Sequence, residues 1–150
     1  MSNLLEEDLL HQIVVGAAPS LTNLIIHAVL LAVVVRVVRD LSTRGQAAPA
    51  ILTDTLIIVA TGVLLVTGHF LEVLIWAGTY AVVGAAPPGT ELVYFAFSNY
   101  TTLGYGEVLP VAGWRLLAPM TALNGILLIG WSTALIYAIL RRAVPASPQP

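Results

Sequence analysis

Three long stretches of the chain are almost continuously apolar, and short polar segments separate them. The first runs from about Pro19 to Arg39, the second from about Ile51 to Val83, and the third from about Val111 to Arg142. About 20 consecutive apolar residues are enough for a helix to cross a bilayer. The pattern therefore predicts three transmembrane helices. The second would be about 50 Å long at 1.5 Å per residue, which exceeds the hydrocarbon thickness of about 30 Å.

The residues before the first stretch have a different pattern. Within residues 1–18, apolar side chains are interspersed with Glu6, Glu7 and Asp8, which is typical of a short helix at a membrane interface. The acidic start argues against a secretory signal peptide, whose first region is positively charged. We predict an interfacial segment at 1–18 and a helix start at Pro19. Whether residues 4–15 instead extend the first span stays open at this stage.

A further, shorter helix is predicted between the second and third stretches. Thr90 and Glu91 are typical of a helix start, and residues 92–99 suffice for about two and a half turns. This segment is too short to cross the membrane, but it suits a re-entrant helix whose partly negative C-terminal end faces a cation. Pro110 is the predicted start of the last helix.

Composition changes the picture from a soluble to a membrane protein. Hydrophobic residues make up 58% of the 150 residues and charged residues only 9%, which is too apolar for a soluble chain of this length. The formal net charge of −2 is too small to indicate nucleic acid as a partner. With no cysteine in the chain, disulfides and thiolate metal sites are excluded. The expected environment is a lipid bilayer.

The loop after the short helix carries residues suited to an ion-binding backbone. Consecutive carbonyls point to one side only with dihedrals that glycine accepts at low cost. Non-helical backbone at membrane depth is tolerated where it is buried in protein or lines a water-filled cavity. The residues at issue are Thr102, Leu103, Gly104, Tyr105 and Gly106. They resemble the potassium-channel selectivity filter, whose loops read Thr-Val-Gly-Tyr-Gly, with Leu103 in place of valine.

The resemblance covers residues 51–142, as outer helix, pore helix, filter and inner helix of a small two-transmembrane potassium-channel pore domain. It implies K⁺ bound by Thr102, Leu103, Gly104 and Tyr105, with the Tyr105 ring bracing the loop against neighbouring helices. Because one chain supplies one filter strand, it also implies a homotetramer. Glu107 stands at the outer mouth, where the family usually has aspartate.

In the last helix, the resemblance places Gly125 near the family's gating hinge, and Gly130 is a second flexible point. Pro119 is expected to kink this helix. Asn124 is polar in an apolar helix and leaves two alternatives open: it faces the central cavity, or it bonds to another helix.

His69 and Glu72 lie three residues apart within the second span. Ionisable groups at membrane depth are costly and face protein or water. Two interpretations stay open: a structural pair that holds the second helix to the pore helix or last helix, and a proton sensor, because histidine titrates near neutral pH. His27 in the first span is expected to pack against a neighbour.

The arginines predict an orientation. Five of the six basic residues lie near the 40–50 loop or the C-terminal end of the last span. The positive-inside rule therefore places that loop and the C-terminus in the cytoplasm and the N-terminus outside. We predict a multi-pass protein of the cell's inner (plasma) membrane, with a peripheral helix and loop at 19–50 and a tail at 143–150.

The apolar pattern predicts an all-α membrane protein, and the resemblance implies that it forms a passive, K⁺-selective tetrameric channel. We predict no enzyme activity, no cofactor apart from permeant K⁺, and no soluble gating domain on this chain. Two alternatives remain. The departures at Leu103 and Glu107 would allow a non-selective cation channel, and the chain could instead be a non-conducting subunit that regulates a partner.

Overall fold

A computed structural model describes residues 2–45 and 49–143, and this part of the chain is all helical, with no strand. Residues 46–48 of the predicted loop, and all of the predicted 143–150 tail except residue 143, lie outside the described residues. Three of the described helices are long and apolar enough to cross a membrane. The elements are α1 (Ser2–Arg44), α2 (Ala50–Val83), α3 (Leu92–Tyr100), a 3-10 turn (Ala112–Trp114) and α4 (Leu117–Ala143).

Helix α1 is one continuous helix of 43 residues with Pro19 inside it. The predicted helix start at Pro19 is therefore wrong, because the helix already runs through this residue, whereas the location of residues 1–18 at a membrane interface stays a prediction. Proline removes one backbone donor, and in the next turn two hydroxyls bond back to carbonyls four residues earlier, a pattern that often bends a helix. Ser20 Oγ donates to the Gly16 carbonyl at 2.7 Å and Thr22 Oγ1 to the Ala18 carbonyl at 2.9 Å.

Helix α2 matches the predicted second stretch closely. It follows Pro49, whose carbonyl accepts from the Leu52 and Thr53 amides. It ends at Gly84, a left-handed residue with φ +64° whose amide donates to the Tyr80 carbonyl. Glycine adopts this conformation without a Cβ penalty, which makes it the usual helix terminator.

Helix α4 begins later than predicted. Pro110 precedes it, and the chain first makes the 3-10 turn before α4 begins at Leu117. Pro119 is consequently the third residue of the helix. There its missing N–H has no intrahelical partner to lose, so a kink need not follow from this proline.

The four helices form one bundle with a polar layer between two apolar clusters. One cluster joins the end of α2 to α3 and the start of α4, and includes Trp76, Tyr80 and Phe95. The other joins the opposite ends of α1, α2 and α4. Helix α3 has only nine residues, about 14 Å at 1.5 Å per residue, and it contacts both α2 and α4.

The two ends of the bundle are identified by specific contacts. At one end, the Leu116 amide donates to Gln12 Oε1 at 2.8 Å, and the His11 and Trp114 rings are 5.2 Å apart. At the other end, a cavity of about 380 Å³ lies between α1, α2 and α4, with Arg39 and Asp54 in its lining. The start of α1 and the start of α4 therefore share one end of the bundle.

Candidate ion-conduction site

The loop after α3 continues directly from the helix end. The Thr101, Thr102 and Leu103 amides donate to the carbonyls of Phe97, Asn99 and Ser98 at 2.9, 3.1 and 3.0 Å. These bonds satisfy the last carbonyls of α3, which would otherwise lack partners. They also fix the direction in which the chain leaves the helix.

Beyond this point the backbone alternates in conformation. Positive φ occurs at Thr102 (+59°), Gly104 (+50°) and Gly106 (+77°), and not at the residues between them. Glycine accepts such positive φ values at low cost, which explains its presence at 104 and 106. Thr102 is β-branched, so its positive φ is a strained conformation of the kind that persists at functional sites.

The carbonyls of this loop are without hydrogen-bond donors. Within residues 2–45 and 49–143, no group donates to the carbonyl oxygens of residues 102–106. The Thr102 hydroxyl donates to the Thr101 carbonyl at 2.6 Å. A run of unpaired carbonyl oxygens is a chemical arrangement that suits a hard cation.

All seven residues from 101 to 107 are exposed in the single chain. We expected the Tyr105 ring to brace the loop against neighbouring helices. Within one chain it does not, because Tyr105 is 68% exposed. It lines a cavity of about 110 Å³ together with Tyr94, Phe95 and Asn99 of α3. Contacts that bury this ring would have to come from another chain.

Glu107 reaches back towards α3. Its Oε2 accepts from the Tyr94 hydroxyl at 3.4 Å. Desolvation, together with the negative charge of Glu107, raises the pKa of the Tyr94 hydroxyl above its usual value. The tyrosine therefore stays a neutral donor to the carboxylate at neutral pH.

Asn124 of α4 bonds between helices. Its Oδ1 accepts from Asn23 Nδ2 of α1 and from Trp76 Nε1 of α2, both at 3.0 Å, and Asn23 Nδ2 also lies 3.1 Å from the Glu72 carbonyl. At 5% exposure, the Asn124 amide does not face an open cavity. Of the two alternatives, the structure has the bond to other helices, because three elements converge on this position.

The two glycines of α4 have different surroundings. A Cβ built on Gly125 would lie 1.9 Å from the Tyr100 carbonyl oxygen, whereas one on Gly130 would meet nothing within 4 Å. Gly125 thus permits α4 to approach the end of α3. Its role as a gating hinge and the flexibility of Gly130 stay predictions.

His69 and Glu72 are part of a larger group, which we call the histidine–glutamate cluster: His27, His69, Glu72, Tyr100 and Ser132. Glu72 is fully buried; its Oε1 lies 2.8 Å from His27 Nδ1, its Oε2 lies 2.9 Å from His69 Nδ1, and Tyr100 donates to Oε2. Ser132 Oγ lies 3.0 Å from His69 Nε2 and 3.5 Å from His27 Nε2. All four helices contribute to this cluster.

Sequence reasoning missed the role of His27. A usable signal was its spacing from Asn23, four residues earlier, which puts two polar residues on one face of an apolar helix. His27, His69 and Glu72 also place donor atoms within 4.8 Å of one another, close enough to consider a metal ion. The separations of 2.8 and 2.9 Å between ring nitrogens and carboxylate are those of direct hydrogen bonds.

Comparison with known proteins identifies an ion channel family. A family model described as an ion channel matches residues 68–142, which is half of the chain and runs from the second half of α2 to the end of α4. Helix α1 lies outside the matched residues. Comparisons with curated proteins and with solved structures give no match. With the short helix, the loop and the two flanking spans all inside the matched range, the chain belongs to the two-transmembrane-type ion channel family.

Proposed function

We propose that the chain is the subunit of a K⁺-selective channel that conducts through the loop at residues 102–106. The observation that carries this proposal is the run of unpaired carbonyl oxygens on a backbone whose φ alternates in sign. Carbonyl oxygens replace the water shell of K⁺ in filters of this type. The ion sites are the carbonyls of Thr102, Leu103, Gly104 and Tyr105, with the Thr102 hydroxyl as a further oxygen.

Two charged features favour cations along this path. Helix α3 ends directly before the loop, and the C-terminal end of a helix carries partial negative charge. Glu107 follows the loop as an exposed carboxylate, and a ring of carboxylates at a pore entrance concentrates cations. The protein then needs to stabilise only a partly dehydrated ion, and it catalyses no chemical reaction.

A complete site requires several copies of the chain. One strand supplies only one carbonyl at each level, and residues 101–107 are exposed in the single chain. Closed cyclic symmetry with four copies encloses an ion with four carbonyls per level. In this homotetramer α3 is the re-entrant pore helix, and contact with a neighbouring copy covers the exposed Tyr105 ring.

We place the loop end of the bundle outside the cell and the opposite end in the cytoplasm. Arg36 and Arg39 lie near the end of α1, and Arg141 lies near the end of α4, so the basic side chains gather at the cytoplasmic end as the positive-inside rule requires. The N-terminus is then outside. The membrane is the plasma membrane.

Ion flux from proteoliposomes containing the purified chain tests the proposal. Gly104→Ala adds a Cβ where φ is +50°, whereas the control Gly113→Ala adds one where nothing lies within 4 Å and φ is not positive. We expect K⁺ flux without Na⁺ flux in the wild type, lost in Gly104→Ala and kept in Gly113→Ala. Equal K⁺ and Na⁺ flux would indicate a non-selective cation channel. Tetramers that pass neither ion would instead favour the non-conducting regulatory subunit.

A further inference from the structure

The histidine–glutamate cluster has an uneven hydrogen-bond count. Tyr100 Oη lies 2.9 Å from His69 Nδ1, but its one hydrogen goes to Glu72 Oε2. With Glu72 ionised, both Nδ1 atoms therefore carry hydrogen, because an unprotonated nitrogen at 2.8 or 2.9 Å would face the carboxylate lone pairs. Both Nε2 atoms are then acceptors if the rings are neutral. The neighbour they share is Ser132 Oγ, which has a single hydrogen to donate.

Two neutral rings therefore leave one Nε2 without a donor. His27 is fully buried, so in a neutral pair the Ser132 hydroxyl must donate to its Nε2, and the unpaired acceptor is then Nε2 of His69, whose side chain is 20% exposed. One additional proton removes the deficit. The charged ring donates from Nε2 to Ser132 Oγ, and the Ser132 hydroxyl donates to Nε2 of the other ring.

We propose that the cluster is a binding site for one proton, held by His27 and His69 together through Ser132. The proton also balances charge, since one imidazolium and the Glu72 carboxylate sum to zero. A neutral pair of rings would instead leave the carboxylate charge uncompensated in the protein interior. Moving the proton between the rings requires only that the Ser132 hydroxyl reverse its direction.

The neighbours of the cluster supply no competing charge. Helix α1 contributes His27, α2 contributes His69 and Glu72, α3 contributes the Tyr100 hydroxyl, and α4 contributes Ser132. In the described part of the chain, the ion pairs within 4.0 Å are the two between these histidines and Glu72. Neither arginine nor a second carboxylate is available there to replace the proton's charge.

Tyr100 connects the cluster to the loop, so the protonation state of the cluster can affect the pore. Tyr100 is the last residue of α3 and precedes the loop, and its hydroxyl donates to Glu72. Loss of the proton weakens the bridge from α1 to α4 through Ser132 and leaves an uncompensated charge beside Tyr100. This consequence rests on the proposed channel function, whereas the proton site itself does not.

Nuclear magnetic resonance of the full-length protein with ¹⁵N-labelled histidine tests the site directly. The chain has three histidines, and the exposed His11 is a reference outside the cluster. Over pH 5 to 8, where histidine ordinarily titrates, we expect one imidazolium and one neutral Nδ1–H ring in the cluster, with a single proton released on raising the pH. Two neutral rings throughout, or two charged rings, would overturn the proposal.

Variants then separate the proton site from general packing. Ser132→Ala removes the shared oxygen, so the proton should no longer pass between the rings and the ¹⁵N signals of both rings should differ from those of the wild type. Thr133→Ala is the matched control, because that hydroxyl is exposed and donates to the Ile129 carbonyl of its own helix. Unchanged ¹⁵N signals of both rings in Ser132→Ala would contradict the role given to Ser132.

Flux measurements test the coupling to the pore. K⁺ flux at about pH 5 and about pH 8 should differ in the wild type and in Thr133→Ala, and should lose this difference in His27→Gln. Flux that is equal at both values of pH in the wild type would refute the coupling. An absence of flux at every pH would count against the channel proposal, while the resonance experiment still decides the proton site. Stoichiometric binding of added Zn²⁺, with loss of both Nδ1–H signals, would make the cluster a metal site instead.

Discussion

Replacement of Gly125 by alanine should separate α4 from the end of α3, which are in close contact at this residue. The added Cβ would lie 1.9 Å from the carbonyl oxygen of Tyr100 and 2.8 Å from its carbonyl carbon, and contacts under 3.0 Å essentially never occur for real Cβ atoms. Helix α4 and the end of α3 must therefore move apart by about 1.1 Å at this point. Since Thr101 follows Tyr100 directly, the displacement reaches the loop.

Two opposing effects determine how much Gly125→Ala changes the free energy of unfolding. Alanine in place of glycine favours a helix by roughly 1 kcal/mol, whereas overpacking a tight interface costs about 1–3 kcal/mol. Gly130→Ala should show only the gain in helix propensity, because nothing lies within 4 Å of its Cβ. The two variants therefore differ in free energy of unfolding only by the cost of overpacking. We expect Gly125→Ala to be less stable than Gly130→Ala by about 1–3 kcal/mol.

Gly68 supplies an intermediate case for the same assay. Its Cβ would lie 2.1 Å from Leu30 Cδ2, which is the end of a flexible side chain and moves at lower cost than backbone. Unfolding in mixed detergent micelles and K⁺ flux should both rank the alanine variants in the order Gly130, Gly68, Gly125, from least to most damaged. Equal stability of the Gly125 and Gly130 variants would refute the close approach of α4 to Tyr100.

Three further substitutions test the polar layer and the start of α1. Asn124→Ala leaves Trp76 Nε1 without an acceptor and Asn23 Nδ2 with only the Glu72 carbonyl, and should lower the free energy of unfolding by about 1–3 kcal/mol in the same micelles; a change near zero would contradict these bonds. Glu72→Gln replaces a buried acceptor of three hydrogen bonds with an amide that itself donates, so its melting temperature should fall well below that of Glu91→Gln, an exposed control. Gln12→Ala frees the Leu116 amide and should speed hydrogen exchange of that amide without changing exchange in α2. The same exchange rate at Leu116 in wild type and variant would argue against the Gln12 contact.

The helical framework was predictable because its causes are local. Apolar runs of sufficient length, Gly84 at the end of α2 and the helix-start residues Thr90 and Glu91 each act over a few positions. The second span and the short helix agree with the predicted bounds to within one or two residues. In the loop, the glycines at 104 and 106 indicated dihedrals that other residues rarely accept, and both have positive φ; the role of residues 102–106 as a filter stays a prediction.

The start of α1, the start of α4 and the partners of the buried polar groups were not predictable in the same way. Pro19 is a good helix-start residue in isolation, and only the continuity of residues on both sides of it makes it internal. His27 lies 45 positions from Glu72, and Asn23 lies 101 positions from Asn124. Such pairings follow from the relative placement of whole helices, which a periodic pattern does not specify.

The reversal potential of the channel in a planar bilayer, with K⁺ on one side and Na⁺ at equal concentration on the other, tests the central claim most directly. Each tenfold preference for K⁺ moves this potential by about 59 mV, so a filter made by the carbonyls of residues 102–105 should give a displacement of roughly 100 mV or more towards the K⁺ equilibrium potential. A reversal potential close to zero would contradict the account.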